Sequence, residues 1–346
     1  MSRFATLLTF AACFVAAFAA EHQVVQRDSS ADTPIGGFIP KKSLSIIGAI
    51  AYGTSAAVMW IQFFLNKPKH PFMLSLNLGM STMSAGFVLR YMYATPPFTL
   101  GKYTAWDMCI LLSPCLFLAT DYMLLSRLVN TFDPQIVARC LAIKPTRVVK
   151  IFVWSDALTF FLQVSGGGLT SSHNVSQANL GSKIALIGLI LQAVSFLLFT
   201  FLVFTFAHHV ESDYPQIWHP KTSAPVRILS TEPIDDWRIL VFIMSVTCVG
   251  ILTRSVFRIA EFAGGYSGRV ATHEGYFYLL DALPLLLTMS LYALVWPTRF
   301  FHPAAEKAAR LRGSSQDLLS MQGFRALSAP YSYGIAVHVM YRAAGD

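Results

Sequence analysis

The sequence predicts an all-α membrane protein: a seven-transmembrane helix bundle, N-terminus outside and C-terminus cytosolic, preceded by a signal peptide. Three observations lead there. First, the 346 residues are 54% hydrophobic and only 13% charged, whereas a soluble domain is about 45–50% apolar and about 25% charged; the mean hydropathy is +0.52. Second, seven apolar runs recur along the chain, each long enough for a hydrocarbon core of about 30 Å. Third, the linkers between them alternate between basic and nearly uncharged, as the positive-inside rule requires of a multi-pass chain.

In chain order, residues 1–20 read as a secretory signal: Arg3 is the charged start, Leu7 to Phe18 the apolar stretch and Ala17-Phe18-Ala19 the small-residue cleavage pattern. Residues 21–43 are polar, carry Pro and Gly, and are expected to be an extracellular disordered segment. The transmembrane domain, 44–297, holds the runs Leu44–Leu65, Phe72–Tyr93, Trp106–Leu128, Val148–Leu169, Lys183–Ala207, Ile239–Ile259 and Tyr276–Trp296. Basic residues follow the odd-numbered runs: Lys67 and Lys69, then Arg139, Lys144, Arg147 and Lys150, then Lys221 and Arg227. The tail, 298–346, adds Arg299, Lys307, Arg310 and Arg312, while the opposite side holds little beyond Lys102 and Arg269. The fourth linker carries Asn174-Val175-Ser176, a glycosylation sequon on the side predicted to be outside.

Charged residues inside such runs carry the functional information. A charge at the bilayer centre costs roughly 2.5–3.5 kcal/mol on insertion scales, so it faces a bundle interior or a wet cavity. Arg254, Arg258 and Glu261 fall at i, i+4 and i+7 on one helical face. Glu274 and Asp281 are seven apart on the last run, and Arg90 lies near the end of the second. The spacing makes these six residues a candidate polar pocket in the outer half; the bland reading, best for Arg90 and Glu274, is snorkelling at helix ends. In the inner half, Asp121 and Asp156 are candidate proton-coupling sites, paired with each other through a proton, paired with Arg127, or simply buried structural acids. Asp156, Gln163 and Gly167 share a polar stripe on run four, and Gly188, Gln192 and Ser195 share one on run five, for substrate contact or for helix–helix hydrogen bonds. Gly166, Gly167 and Gly168 either permit close helix contact or loosen the last turn of run four.

Several classes are disfavoured. The chain has no Gly-x-x-x-x-Gly-Lys-[Ser/Thr], so it carries no P-loop. None of the nine histidines falls within a run, which argues against an intramembrane metal hydrolase and a bis-histidine haem relay. The five cysteines have no metal-ligand spacing and read as buried thiols. No catalytic residue, metal, cofactor or nucleic-acid partner is expected, and the net charge of +8 reflects the basic loops of one side.

From Pro71 to Pro297 the chain resembles the fungal lipid-translocating exporters, the RTA-like family of aminocholesterol-resistance and sphingoid-base-exporter type. The resemblance rests on five blocks: Gly86-Phe87-Val88-Leu89-Arg90; Ser113-Pro114 with Ala119, Tyr122 and Arg127; Asp156 with Gln163 and Gly166-Gly167-Gly168; Gly188 with Gln192; and Arg254-x-x-x-Arg258-x-x-Glu261-x-x-Gly264 followed by Glu274, Tyr278 and Asp281. The first run departs from the family's Tyr-x-Pro-small…Asn pattern, reading Ala51-Tyr52-Gly53-Thr54-Ser55-Ala56. The resemblance implies a plasma-membrane translocator of sphingoid bases, sterol-like or related toxic amphiphiles, with membrane lipids as its partners and no enzymatic activity. A cationic headgroup would dock at Glu261, Glu274 and Asp281, ordered by Arg254 and Arg258. The alternative is a seven-helix receptor or sensor for an amphiphilic ligand. Against common receptors stand Cys109 without a bridging partner, Leu125-Ser126-Arg127-Leu128 at the inner end of run three, and a last run without Asn-Pro-x-x-Tyr.

Overall fold

The structure, a computed structural model, describes residues 39–66, 70–132, 134–141, 144–170, 175–215, 234, 236–264 and 273–301. The signal sequence, Asn174 and the tail beyond Phe301 lie outside the described residues, as do Lys67, Lys69, Lys221, Arg227 and Arg269.

Eight helices, then a 3₁₀ turn at Pro297–Phe300, follow one another among the described residues: α1 Lys42–Leu65, α2 Met73–Tyr93, α3 Leu100–Val129, α4 Pro134–Cys140, α5 Pro145–Thr170, α6 Val175–Asp213, α7 Trp237–Ala263 and α8 Glu274–Leu294. The short α4 lies in the basic loop that the sequence analysis left without structure. Helix α3 begins six residues before its predicted start and so takes in Lys102. Helix α6 runs for 39 residues, about 58 Å at 1.5 Å per residue, well beyond the hydrocarbon thickness. At the start of α7, Asp236 accepts from the Arg238 N–H and pairs with its guanidinium at 2.7 Å; that hydrogen bond holds the carboxyl below its usual range.

The interior is mostly apolar with polar groups set into it, and the outer face is apolar as well. On α6, Ile187, Leu191, Val194, Leu198 and Phe201 are exposed, while Ser195 and Thr200 are buried. Fully buried polar groups elsewhere include Asn77, Ser113, Thr120, Asp121, Thr247 and Asp281. A water-soluble bundle covers its outside with polar side chains, so the apolar outer face is the lipid-facing one.

Six of the helices are long and apolar enough to cross a membrane. Helix α2, counted as a span from sequence, has 21 residues, one fewer than the run Phe72–Tyr93, but is too polar to be among the six. Its polarity is used on its neighbours. The Thr82 and Ser113 hydroxyls meet at 2.9 Å, and those of Ser75 and Thr120 at 2.7 Å; Trp60 Nε1 donates to Ser81 at 3.0 Å and Ser84 to the Ala49 carbonyl at 3.0 Å. A helix wedged between α1 and α3 can afford hydroxyls where a lipid-facing helix cannot.

Close helix packing fixes the α5–α6 pair. A Cβ on Gly166 would stand 2.7 Å from the Gly181 carbonyl oxygen, and one on Gly181 would stand 2.6 Å from that of Gly166. Helix α5 continues through all three glycines to Thr170, so close contact, not a loosened turn, accounts for Gly166. Helices α1 and α8 run parallel, tied by the Tyr52 hydroxyl to the Ala282 carbonyl at 2.6 Å, the Ser55 to the Ser290 hydroxyl at 2.8 Å, and Gln62 to the Ala293 carbonyl. The bundle thus has a Lys42 end and a Leu65 end.

Candidate functional site

Towards the Lys42 end, α7 turns Arg254 and Arg258 into the bundle, where both are buried. Opposite them α8 is not a plain α-helix: residues Phe277–Ala282 form a π segment. It ends two residues before Pro284, whose missing N–H already interrupts the i→i−4 ladder. A π turn advances less per residue than an α turn, so Asp281 swings off the face that Glu274 occupies. The two acids therefore meet different arginines.

Asp281 pairs with Arg254, and its other oxygen lies 2.6 Å from Arg258. Arg258 also reaches Glu261 at 3.2 Å, and Arg254 donates to the Ile110 carbonyl at 3.0 Å. Nearby, Arg90 pairs with Glu274 at 3.1 Å and lies over the Trp106 and Phe277 rings at 4.7 and 4.6 Å. Glu274 also accepts from the Lys41 backbone N–H at 3.1 Å. Burial of Arg90 at 2% exposure excludes the snorkelling reading. Asp107 on α3, which the sequence analysis did not single out, lies within electrostatic reach of Arg258, Arg90 and Arg254. The cluster thus sets three guanidiniums against four carboxylates. Its signal in the sequence was an acid following Trp106, hidden because the run was started there.

The Leu65 half is built differently. Asp121 accepts from the Tyr292 hydroxyl at 2.7 Å and from Thr247 at 3.2 Å. Asp156 accepts from Tyr122 at 2.8 Å through one oxygen; the other, buried, has no hydrogen-bond partner among the described residues. The two acids do not pair with each other or with Arg127, which instead meets His70 Nδ1 at 3.4 Å and stands over the Phe72 ring at 4.4 Å. Each has a phenol from another helix as its donor. Sequence reasoning missed Tyr292 and Thr247, because hydroxyl partners leave no charge pattern to read.

Between the two halves, Gln163 Nε2 donates to Gln192 Oε1 at 2.7 Å, bridging α5 and α6, and Gln192 Nε2 lies 3.5 Å from Cys115 Sγ. A narrow, partly enclosed cleft, with room for little more than one water molecule, runs among α3, α5, α6 and α7, taking in Gln163, Gln192, Arg254, Ser255 and Arg258 beside Pro114. It joins the glutamine pair to the guanidiniums. Of the nine residues singled out for substrate, Gln163, Gln192, Arg254 and Arg258 line this cleft. Glu261 and Asp281 sit behind it as arginine partners, Arg90 and Glu274 form a separate pair, and Asp156 is engaged by Tyr122. Asn174 lies outside the described residues. Cys109, Cys115, Cys140 and Cys248 are free thiols.

The chain is 30% identical to Protein RTM1 of Saccharomyces cerevisiae over 217 residues, 62% of this chain and 63% of the relative. It is 30% identical to Protein RTA1 of the same yeast over 220 residues, 63% of each. With that yeast's Sphingoid long-chain base transporter RSB1 it shares 22% identity over 275 residues, 73% of this chain and 70% of the relative. The aligned part thus spans just under two thirds of the first two relatives' length. No solved structure matches. The family described as RTA1 like protein matches residues 76–304, about two thirds of the chain, a stretch that takes in both buried clusters and the cleft between them: this integral, multi-pass membrane protein belongs to the RTA1-like family.

Proposed function

We propose that this protein is a translocator of amphiphilic lipids, moving sphingoid bases, sterol-like or related toxic amphiphiles across the plasma membrane and so conferring export or resistance. The observation that carries the reading is the continuous buried polar seam. The ion cluster at the Lys42 end, the cleft, the glutamine pair and the two acid–phenol pairs follow one another through a bundle whose outer face is apolar. A seam of that kind gives a headgroup polar partners at each depth while its tail stays among the lipids. A relative named as a sphingoid long-chain base transporter supports the substrate class.

In this reading α2 completes a set of seven spans, with the Lys42 end outside and the Leu65 end towards the cytosol. Residues 1–20 act as a cleaved signal, 44–297 as the transport domain and 298–346 as a cytosolic tail, with Asn174 open to glycosylation. Asp121 and Asp156 are the coupling sites. Each is held by hydroxyl donors, with no counter-cation within ion-pair distance among the described residues, so either can gain or lose a proton without breaking an ion pair. Neither catalysis nor a cofactor is part of the reading.

The test is transbilayer transfer of a fluorescent sphingoid base in proteoliposomes. Transfer well above that of protein-free vesicles is expected. Saturable binding without transfer would favour a sensor, and neither would remove the substrate class.

A further inference from the structure

The cations at the Leu65 end are unevenly engaged. Arg127 stands over the Phe72 ring and meets His70, Arg238 pairs with Asp236, and Arg299 is buried. Four others are exposed: Arg139 on α4, Lys144 between α4 and α5, and Arg147 and Lys150 early in α5. None of the four forms an ion pair with a carboxylate among the described residues. Of the acids at this end, Asp213 lies within electrostatic reach of Cys140 on α4, and Glu211 is exposed on the same end of α6. The first turn of α5 holds no acid, and cations there work against the helix macrodipole, which favours an anion at that position. The corner is also held in place. Cys140 and Leu141 are buried against the bundle, the Lys144 carbonyl accepts from the Arg147 and Val148 N–H groups at 2.8 and 3.2 Å, and Ser126 on α3 donates to the Pro145 carbonyl at 3.2 Å.

From those cations α5 continues with an apolar line turned to the lipid. Arg147, Ile151, Trp154 and Leu158 fall at i, i+4, i+7 and i+11, with Lys150 on the flank. Ile151, Trp154 and Leu158 are each more than half exposed, whereas Val148, Phe152 and Asp156 on the other side of the helix are buried. Trp154 stands about 6 Å along the helix from Lys150, at 1.5 Å per residue, where the first methylenes of a chain would lie beneath a headgroup held by the cations. A topology signal requires only a surplus of cations on one side of the membrane; here they are gathered at the start of one helix whose lipid-facing side continues from them. We propose that the α4–α5 corner binds an anionic phospholipid of the leaflet at the Leu65 end. Its headgroup phosphate meets Arg147 and Lys150, with Arg139 and Lys144 beside them, and an acyl chain lies along Ile151, Trp154 and Leu158. In the orientation proposed above this is the cytosolic leaflet, the one that carries anionic lipids. The lipid is a resident of the surface, distinct from any cargo. Its binding needs only a lipid-facing outer face, so the site and the translocator reading stand or fall separately.

The experiment is quenching of tryptophan fluorescence in proteoliposomes of the full-length protein. The vesicles are phosphatidylcholine with a minor fraction of a lipid brominated on its acyl chains, either phosphatidylserine or phosphatidylcholine, and bromine quenches on contact. The expected result is stronger quenching by the brominated phosphatidylserine, equivalent to about a tenfold preference, as two cations near a membrane surface allow, and a smaller excess at high salt. The excess should vanish in Trp154→Phe, which removes the reporter, and in the double variant Arg147→Gln, Lys150→Gln. All three side chains are exposed, so these variants leave the bundle packing as it is. Equal quenching by the two lipids would overturn the proposal. An excess that persists in Trp154→Phe would overturn it by placing the anionic lipid elsewhere, and one unaltered in the double variant would remove the cations as headgroup ligands. Displacement of the brominated phosphatidylserine by an equal concentration of inorganic phosphate would overturn it in favour of a soluble anion. Sphingoid-base flux is measured in the same vesicles. Its absence with the quenching preference intact would reject the translocator and leave the lipid site standing, and flux without the preference would do the reverse.

Discussion

The two ends of the polar seam solve one problem by opposite means. At the Lys42 end, Arg254, Asp281, Arg258 and Glu261 form an alternating chain of charges, each member next to one of opposite sign. At the Leu65 end, Asp121 and Asp156 rely on Tyr292, Thr247 and Tyr122, which are neutral donors. An alternating chain is rigid and intolerant, because removing one link strands its neighbours as buried, unpaired charges. An acid held by hydroxyls has no such partner to strand, and its charge can change while the surrounding helices stay where they are. The first arrangement therefore suits a fixed frame for the cleft, and the second suits a group that takes up and releases a proton.

That contrast can be broken most sharply at Asp281. Asp281→Ala leaves two guanidiniums buried beside each other, and a loss of about 3–5 kcal/mol is expected. Heated detergent-solubilised protein, followed by size exclusion, should show a collapse of the monodisperse peak; a variant as stable as the parent would show that the ion chain carries no structural weight. Tyr122→Phe removes the one donor on Asp156 among the described residues and is expected to cost about 1–3 kcal/mol by the same assay. A neutral outcome there would mean that the acid finds water or another partner when its phenol is taken away.

Asp121→Asn keeps the shape: its Oδ1 can accept from Tyr292 and its amide can donate to Thr247, whose proton has the Met244 carbonyl as acceptor, so a stability change of only about 1 kcal/mol is expected. Its effect belongs on the pH profile of transport. Flux in the parent should vary with a pH gradient, and in the variant that dependence should disappear; an unchanged profile would take Asp121 out of the coupling role. Smallest is Asn77→Leu. Asn77 is fully buried on α2 with both amide atoms unpartnered among the described residues, so an apolar side chain of similar volume should be neutral or stabilising by up to about 1 kcal/mol. Clear destabilisation would point to a bound group at Asn77 and to a seam wider than the one described.

Much of this was legible in the chain because charge in an apolar run is conspicuous. Arg254, Arg258 and Glu261 could be placed on one face from their spacing alone, and the polar stripes of two successive runs, open between substrate contact and helix–helix hydrogen bonds, turn out to meet in the Gln163–Gln192 bond. The π segment was not legible. Pro284 marks where the α ladder fails, but whether the helix kinks or widens depends on what Asp281 can reach across the bundle. Asp107 escaped notice because it lies at the edge of a run, and Tyr292 because a tyrosine in an apolar helix has the composition of core. Helix α2 shows the limit of hydropathy: its serines and threonines count against a span in isolation, yet each bonds to a neighbouring helix that the local sequence does not reveal.

The central claim is that amphiphiles travel along the seam and not over the apolar outer face. Photo-crosslinking of a sphingoid base carrying a diazirine next to its headgroup, in nanodiscs and with peptide mapping, tests it directly. The account predicts labelling on the cleft walls, at Leu189 and Ile251, competed by unlabelled base. Labelling confined to exposed positions such as Leu197 and Val256, and insensitive to competitor, would contradict it.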